Sequence, residues 1–337
     1  MRSPALALVA LVFAIPTGAE AKFTLGGPEP PVLDIAGQVK FGPEFMLDAA
    51  EDEPFVSFNN TAASLLLTGS LTRRLDWMIH ASMAGGVFTL YECFANWKPL
   101  DALALVAGQQ KAPFGRVYNS AATKLLFMTR NPLAADFAPK YQLGVTPVVS
   151  LPGGWGAVKA GVFNGEGPNR ANPDPGLLYS ACVEVTPLGA VPNEESANRG
   201  YAEPVVALIP GFWTNRAGPV LGVEVTTTAY GGHAAFRWQF LALDAAFYRR
   251  REERSPGNRV ATSDGLTVQG GYAFAGRYEP IARVTMVGLD DATTTIEAGF
   301  NWYFNSYASR LGLNFGHRRP AEGDARQEAR LYYEFQF

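Results

Sequence analysis

From Leu33 to Leu47 the residue types alternate. The odd positions read Leu33, Ile35, Gly37, Val39, Phe41, Pro43, Phe45 and Leu47, and the even ones Asp34, Ala36, Gln38, Lys40, Gly42, Glu44 and Met46. A period of two sustained that long specifies a strand with one apolar and one polar face. The pattern returns near the end of the chain, where Ile296, Ala298, Phe300, Trp302 and Phe304 oppose Thr295, Glu297, Gly299, Asn301 and Tyr303. Leu331, Tyr333, Phe335 and Phe337 likewise oppose Arg330, Tyr332, Glu334 and Gln336. Reading every such segment predicts strands near 33–47, 60–72, 77–87, 90–98, 102–111, 141–150, 155–163, 177–187, 203–212, 231–240, 242–251, 265–274, 278–287, 293–304, 309–317 and 329–337. Those are sixteen, with fourteen or eighteen as alternatives, because Thr214 to Tyr230 fits either an extra hairpin arm or a folded loop. The one helical expectation is a short helix around Ser120 to Met128.

Alternating strands are satisfied by a soluble sandwich with its apolar faces inward. They are equally satisfied by a transmembrane barrel with its apolar faces toward lipid. Three features favour the barrel. Aromatic residues such as Trp77, Trp97, Trp302 and Phe304 stand on the apolar faces near strand ends, as interfacial girdles require. Connections alternate between tight (Arg73 to Asp76, Lys98 to Asp101, Leu151 to Gly154, Ala275 to Arg277) and long (Ala112 to Lys140, Asn164 to Gly176, Glu252 to Ser263), as for periplasmic turns and external loops. The last strand places an aromatic, Phe337, at its end, which resembles the recognition signal of outer-membrane assembly. A barrel that puts every other residue in lipid also explains a 47% hydrophobic chain with a mean hydropathy of −0.00 and no apolar run long enough for a membrane helix. The net charge of −3 lacks the basic excess of nucleic-acid binders, so no nucleic-acid partner is expected.

Residues 1–21 read as a cleavable export signal: Arg2, an apolar run from Ala5 to Ile15, the breakers Pro16 and Gly18, then Ala19-Glu20-Ala21 before Lys22. Residues 22–337 are then the barrel, in the outer membrane of a bacterial cell. Strand phase points Cys93 outward and Cys182 inward, so two free thiols are expected rather than a disulfide. His80, His233 and His317 lie far apart, without metal-ligand spacing, and neither a metal nor a cofactor is expected. No nucleophile-elbow, zincin or phosphate-loop motif occurs, and Ser82 near His80 reads as wall, so no catalytic residue and no enzyme are expected.

Residues 102–130 read ALALVAGQQKAPFGRVYNSAATKLLFMTR. Gly108, Gln109, Lys111, Pro113, Phe114, Gly115 and Arg130 in that run resemble the phosphate-selective porin O and P family. Phe163-Asn164-Gly165, Glu279-Pro280-Ile281-Ala282-Arg283 and Gly299-Phe300-Asn301-Trp302-Tyr303 resemble three further motifs of that family, in the same order. The resemblance implies a sixteen-stranded trimeric barrel whose third external loop folds inward, with basic residues drawing anions through. Two departures matter. Gln110 puts an amide where the pattern has a lipid-facing residue, and no lysine follows Lys159, whereas the family's phosphate site draws on lysines of later strands.

Between Lys111 and Lys140 the basic residues are Lys111, Arg116, Lys124, Arg130 and Lys140, against the single acid Asp136. Such a cluster in a narrow, low-dielectric pore concentrates anions, while on an external loop it would meet lipopolysaccharide phosphates or water. Strand phase, with the polar face inward, adds Lys40, Gln109, Lys159 and Arg283, the last also carried by a motif. The expected channel-lining and anion-binding set is therefore Lys111, Arg116, Lys124, Arg130, Lys140, Arg283, Lys40 and Lys159. The function expected is passive diffusion of small anions such as phosphate, through an outer-membrane homotrimer in contact with lipid and lipopolysaccharide. The alternative is a non-conducting structural or adhesive barrel.

Overall fold

The computed structural model describes residues 23–27, 29–48, 55–220, 223–257, 259–288 and 292–337. The expected export signal and Lys22 lie outside them. Strand β1 (Phe23–Leu25) is short. The others are β2 (Val32–Asp48), β3 (Phe55–Thr72), β4 (Leu75–Ser82), β5 (Thr89–Leu100), β6 (Leu103–Lys111), β7 (Tyr141–Ser150), β8 (Gly156–Phe163) and β9 (Leu178–Val185). They continue as β10 (Tyr201–Val220), β11 (Val223–Gln239), β12 (Leu241–Ser255), β13 (Arg259–Tyr272), β14 (Tyr278–Val287), β15 (Thr293–Asn305), β16 (Ser309–Arg319) and β17 (Arg326–Gln336). Each of β2 to β17 pairs antiparallel with its sequence neighbours, and β17 pairs with β2, giving a closed barrel of sixteen strands. Closure leaves no unpaired edge, which is how a sheet can satisfy its backbone in lipid. β1 adds a short pairing to the start of β2, Phe23 opposite Ile35.

The closing seam has glycines at two close approaches, Gly42 against the Leu331 carbonyl and Gly37 against Phe337. Gly37 and Phe337 exchange backbone hydrogen bonds of 2.6 and 3.0 Å, and a Cβ at Gly37 would collide with the Phe337 ring. The alternation lands as read. Phe45, Ile296, Phe300 and Phe315 are exposed on the outer face, while Gln38, Lys40, Glu297, Asn301, Arg310 and Glu334 are buried on the inner one. At the short-turn end, neighbouring rings run from Phe300 through Tyr278, Trp302, Phe304, Tyr333 and Phe335 to Phe337, a girdle with successive centroids 4.8–6.5 Å apart. Cys93 is exposed, Cys182 buried, and both are free thiols.

Four expectations need correction. Thr214 to Tyr230 is neither an extra arm nor a loop: β10 and β11 run through it as one hairpin of 20 and 17 residues, taller than a membrane needs. The strand expected to reach Val87 stops at Ser82, where a tight 3-10 turn begins. Connections on the short-turn side are not all short, because residues 186–200 intervene between β9 and β10. The two glutamines of β6 are also reversed. Gln109 lies opposite Cys93 and Leu143, which are exposed outer-face residues, and Gln110 lies opposite the buried Gln142. Directly opposed residues share a face, so Gln109 is on the outer side. There it substitutes for a missing strand. β6 pairs with β5 only from Cys93 onward, and the Gln109 amide donates to the carbonyls of Leu90 (2.7 Å) and Tyr91 (3.1 Å) above that point. Gln110 donates instead to the Val106 carbonyl of its own strand.

Candidate functional site: the lumen and its two inward segments

The loop joining β6 to β7 opens on Pro113-Phe114-Gly115, and the motif has a packing role. Phe114 is buried with its ring 4.7 Å from Tyr248, and Gly115 sits against the Tyr248 hydroxyl. On the facing strand, Gly211 leaves room for the Phe114 carbonyl, which a Cβ there would strike. Two short helices follow, α1 (Arg116–Asn119) and α2 (Leu133–Phe137). Val117, Leu133, Ala134 and Phe137 join Phe163, Leu178, Trp213, Ala246 and Tyr248 in one apolar cluster, so the loop is held to the wall of β8–β12 by hydrophobic burial. The Trp213 indole N–H donates to the Phe137 carbonyl at 2.8 Å.

Between the two helices the chain is irregular, with a 3-10 turn at Ala122–Lys124 and bends over 126–129, and here the expected helix over Ser120 to Met128 fails. The wall of β14–β17 and β2 takes its carbonyls. Gln336 donates to Thr123 O (3.1 Å), Arg310 to Leu125 O (2.6 Å), Asn301 to Leu126 O (2.8 Å), Lys40 to Met128 O (3.0 Å) and Arg283 to Thr129 O (3.4 Å). Carbonyls held by external donors no longer need the intrahelical bonds that would have built a helix. The same wall side chains are ion-paired among themselves. Arg310 bridges Glu334 at 2.8 Å, with Lys40 3.6 Å from that carboxylate, and Arg283 grips Glu297 through two bonds of 2.5 and 2.6 Å.

Residues 186–200 meet this loop from the opposite end of the barrel. Glu195 donates its backbone N–H to Lys124 O at 2.9 Å and accepts from the Leu126 N–H at 2.8 Å. Arg116 donates to the carbonyls of Val191 (3.3 Å) and Pro192. Ser196 is buried: its N–H donates to the Tyr307 hydroxyl at 2.8 Å and its hydroxyl to Glu279 at 2.7 Å. Sequence reasoning missed this segment. The available signal was its length on the side where alternation demands a turn, together with the small and polar run Glu194-Glu195-Ser196-Ala197-Asn198.

Two cavities flank the loop. The first, about 830 Å³, lies at the long-loop end against β14–β17 and holds Arg130, Arg283, Arg318, Arg326 and Arg330 against Asp136, Glu297 and Glu328. The second, about 340 Å³, lies between residues 121–124 of the loop and the inner face of β2–β5, and is lined by Lys111 and Lys124 among others. Of the eight residues expected from sequence, Arg130 and Arg283 thus come together in one cavity and Lys111 and Lys124 in the other. The remaining four stand outside both linings. Lys40 is buried in the wall, Arg116 is the buried tether to residues 186–200, Lys159 pairs with Glu184 at 3.1 Å, and Lys140 is exposed with φ +61°. Arg318 and Arg326 were overlooked, although they share the phase of Arg310 and Arg330 and lie directly opposite each other.

Arg130 lines the larger cavity. Its guanidinium donates to Tyr118 O (2.8 Å) and Ser120 O (2.9 Å) and lies 5.1 Å from the Tyr118 ring centroid. Lys111 shares the Ser120 carbonyl at 3.1 Å. Burial pushes the Tyr118 hydroxyl up to about 12, so it stays a neutral group beneath that cation. Among the described residues no group of His, Cys, Asp and Glu could hold a metal ion.

Comparison with known proteins agrees with this geometry. The family model "Phosphate-selective porin O and P" matches residues 56–202. No curated protein matches the chain. Among solved structures, outer-membrane expressed OmpT of Vibrio cholerae is similar, with TM-score 0.66 and 14% identity over 94% of this chain and 100% of that one. An anion-selective porin from Comamonas acidovorans gives TM-score 0.65 at 10% identity, over 90% and 99% of the two chains. Salmonella typhi OmpF, in complex with daunomycin, gives 0.65 at 13%, over 94% and 100%. The fold is that of a sixteen-stranded porin barrel, and residues 56–202 match the phosphate-selective porin O and P family.

Proposed function

We propose that this barrel is a porin through which small anions diffuse down their gradients, with the arginine-lined cavity at its external end as the selecting element. The observation that carries the reading is the charge of that cavity: five arginines face three acids in a chain whose overall charge is −3. Cations fixed in a low-dielectric wall raise the local anion concentration and repel cations. Arg318 and Arg326 are exposed, and guanidinium groups bind carboxylate and phosphate through paired donors. Phosphate, named in the matching family, is one candidate solute. The anion selectivity in the name of the Comamonas porin is in keeping with the reading. Export by cleavage after Ala21, trimeric assembly and contact with lipopolysaccharide belong to the same proposal. The trimer form recorded for a Vibrio cholerae OmpT structure is consistent with it.

Purified protein in planar bilayers tests the function. Stepwise chloride conductance, reduced by added phosphate, is the outcome expected for a phosphate-conducting pore. A second reading, a non-conducting structural barrel, is favoured by one observation, the entry of residues 186–200 into the lumen beside the external loop. Silent bilayers would establish that reading and end the porin proposal.

A further inference from the structure

The smaller cavity differs in chemistry from the external one, and it bears on which anion the protein takes. Counting Lys and Arg against Asp and Glu, its lining has Lys111 and Lys124 against Glu92, an excess of one positive charge, which matches a monoanion. Most of its polar donors are already committed. Lys111 gives two bonds to the carbonyls of Asn119 and Ser120, Gln38 donates to Glu334, and Gln336 donates to the carbonyls of Thr123 and Tyr307. Lys124 sits 4.8 Å from the centroid of the Tyr307 ring. A hydrated inorganic dianion entering here would exchange its water for few donors and would meet the Glu92 carboxylate, so its desolvation would go uncompensated.

Ser64, His80 and Thr123 add polar groups, with His80 Nδ1 3.2 Å from the Glu92 carboxylate, and the remaining lining is apolar. Leu66, Met78, Ala36 and the ring of Tyr141 form the walls. Tyr141 belongs to an aromatic group, stacked on Tyr91 at 4.9 Å and edge-on to Tyr118 at 5.5 Å. A volume of about 340 Å³ falls at the small end of the range for ligand pockets. An anion whose charge is single and whose body is flat and apolar fits these constraints: its carboxylate meets the two ammonium groups while its ring replaces water against Leu66, Met78 and Tyr141.

Resting on the anion-porin reading, we infer that the cavity between residues 121–124 and the β2–β5 wall is a binding site for aromatic monocarboxylates, in preference to phosphate. The probes are benzoate, acetate and phosphate. Added separately to a chloride-conducting bilayer, benzoate is expected to reach half-block at a concentration on the order of tenfold below acetate and phosphate. Lys124→Gln is expected to raise that benzoate concentration severalfold, and Leu66→Asn to narrow the gap between benzoate and acetate. Calorimetric titration of detergent-solubilised protein with the same three anions reads binding without conduction, so a silent bilayer would remove the porin reading while the site is still decided. Phosphate binding as tightly as benzoate, or benzoate binding unaffected by both substitutions, would overturn the inference.

Discussion

Two segments enter the barrel from opposite ends; both make hydrogen bonds inside it, and only one has a large apolar anchor. Residues 112–140 bury Phe114, Val117, Leu133 and Phe137 against Trp213 and Tyr248, so hydrophobic burial anchors them to one side of the wall. Residues 186–200 contribute little apolar surface beyond Val191, which joins a small cluster with Ile209 and Cys182. They are held by hydrogen bonds through Glu194, Glu195 and Ser196 and by the tether from Arg116. Apolar burial is non-directional and is lost in large steps when volume is removed. A polar network is lost bond by bond, each bond worth about 1 kcal/mol net. The external loop is therefore the fixed element of the lumen, and the segment from the short-turn side is the one that small chemical changes can loosen.

The largest effect should come from Phe137→Ala, which empties the centre of the apolar cluster. A cost of about 3–5 kcal/mol is expected in urea unfolding of the purified protein, with the external loop opened to protease. A loss below about 1 kcal/mol would mean that burial does not anchor the loop. Next comes Arg116→Ala, which leaves the Val191 and Pro192 carbonyls without their buried donor, at about 1–3 kcal/mol. Limited proteolysis should then cut within residues 186–200 while residues 112–140 stay protected. Equal exposure of both would show that the two segments are one unit. The smallest effect should come from Glu195→Gln, which keeps the shape but weakens the bond to the Leu126 N–H, by about 1 kcal/mol or less. Single-channel current should become noisier without a change in mean stability beyond that amount. A loss as large as that of Phe137→Ala would erase the distinction.

What the sequence made legible was whatever depends on parity. Period-two alternation located all sixteen barrel strands, and phase alone put Lys40, Glu297, Asn301 and Glu334 on the inner face. Parity says which face a side chain leaves from and nothing about what it meets. Lys40, Arg283 and Arg310 meet carbonyls of the external loop, contacts spanning 88, 154 and 185 residues of sequence. Local propensity therefore favoured a helix over Ser120 to Met128 that distant donors have undone. Gln109 and Gln110 show a related limit. They are adjacent and chemically identical, so only pairing with Cys93 and Leu143 on one side and Gln142 on the other tells them apart. Residues 186–200 carry no periodic signal, and their place depends on Arg116, Arg237 and Tyr307, residues far from them in the chain.

The same contrast extends to charge. Inner-wall cations are engaged in holding backbone, whereas Arg318 and Arg326 stand exposed at the rim of the larger cavity, where passing ions would meet them. The zero-current potential across a bilayer separating two potassium chloride concentrations tests that division directly, with the unaltered protein compared with an Arg318→Gln/Arg326→Gln double variant. Chloride preference is expected in the first and loss of most of it in the second, with the channel still open. A potassium-preferring potential, or a chloride preference unchanged in the double variant, would contradict it.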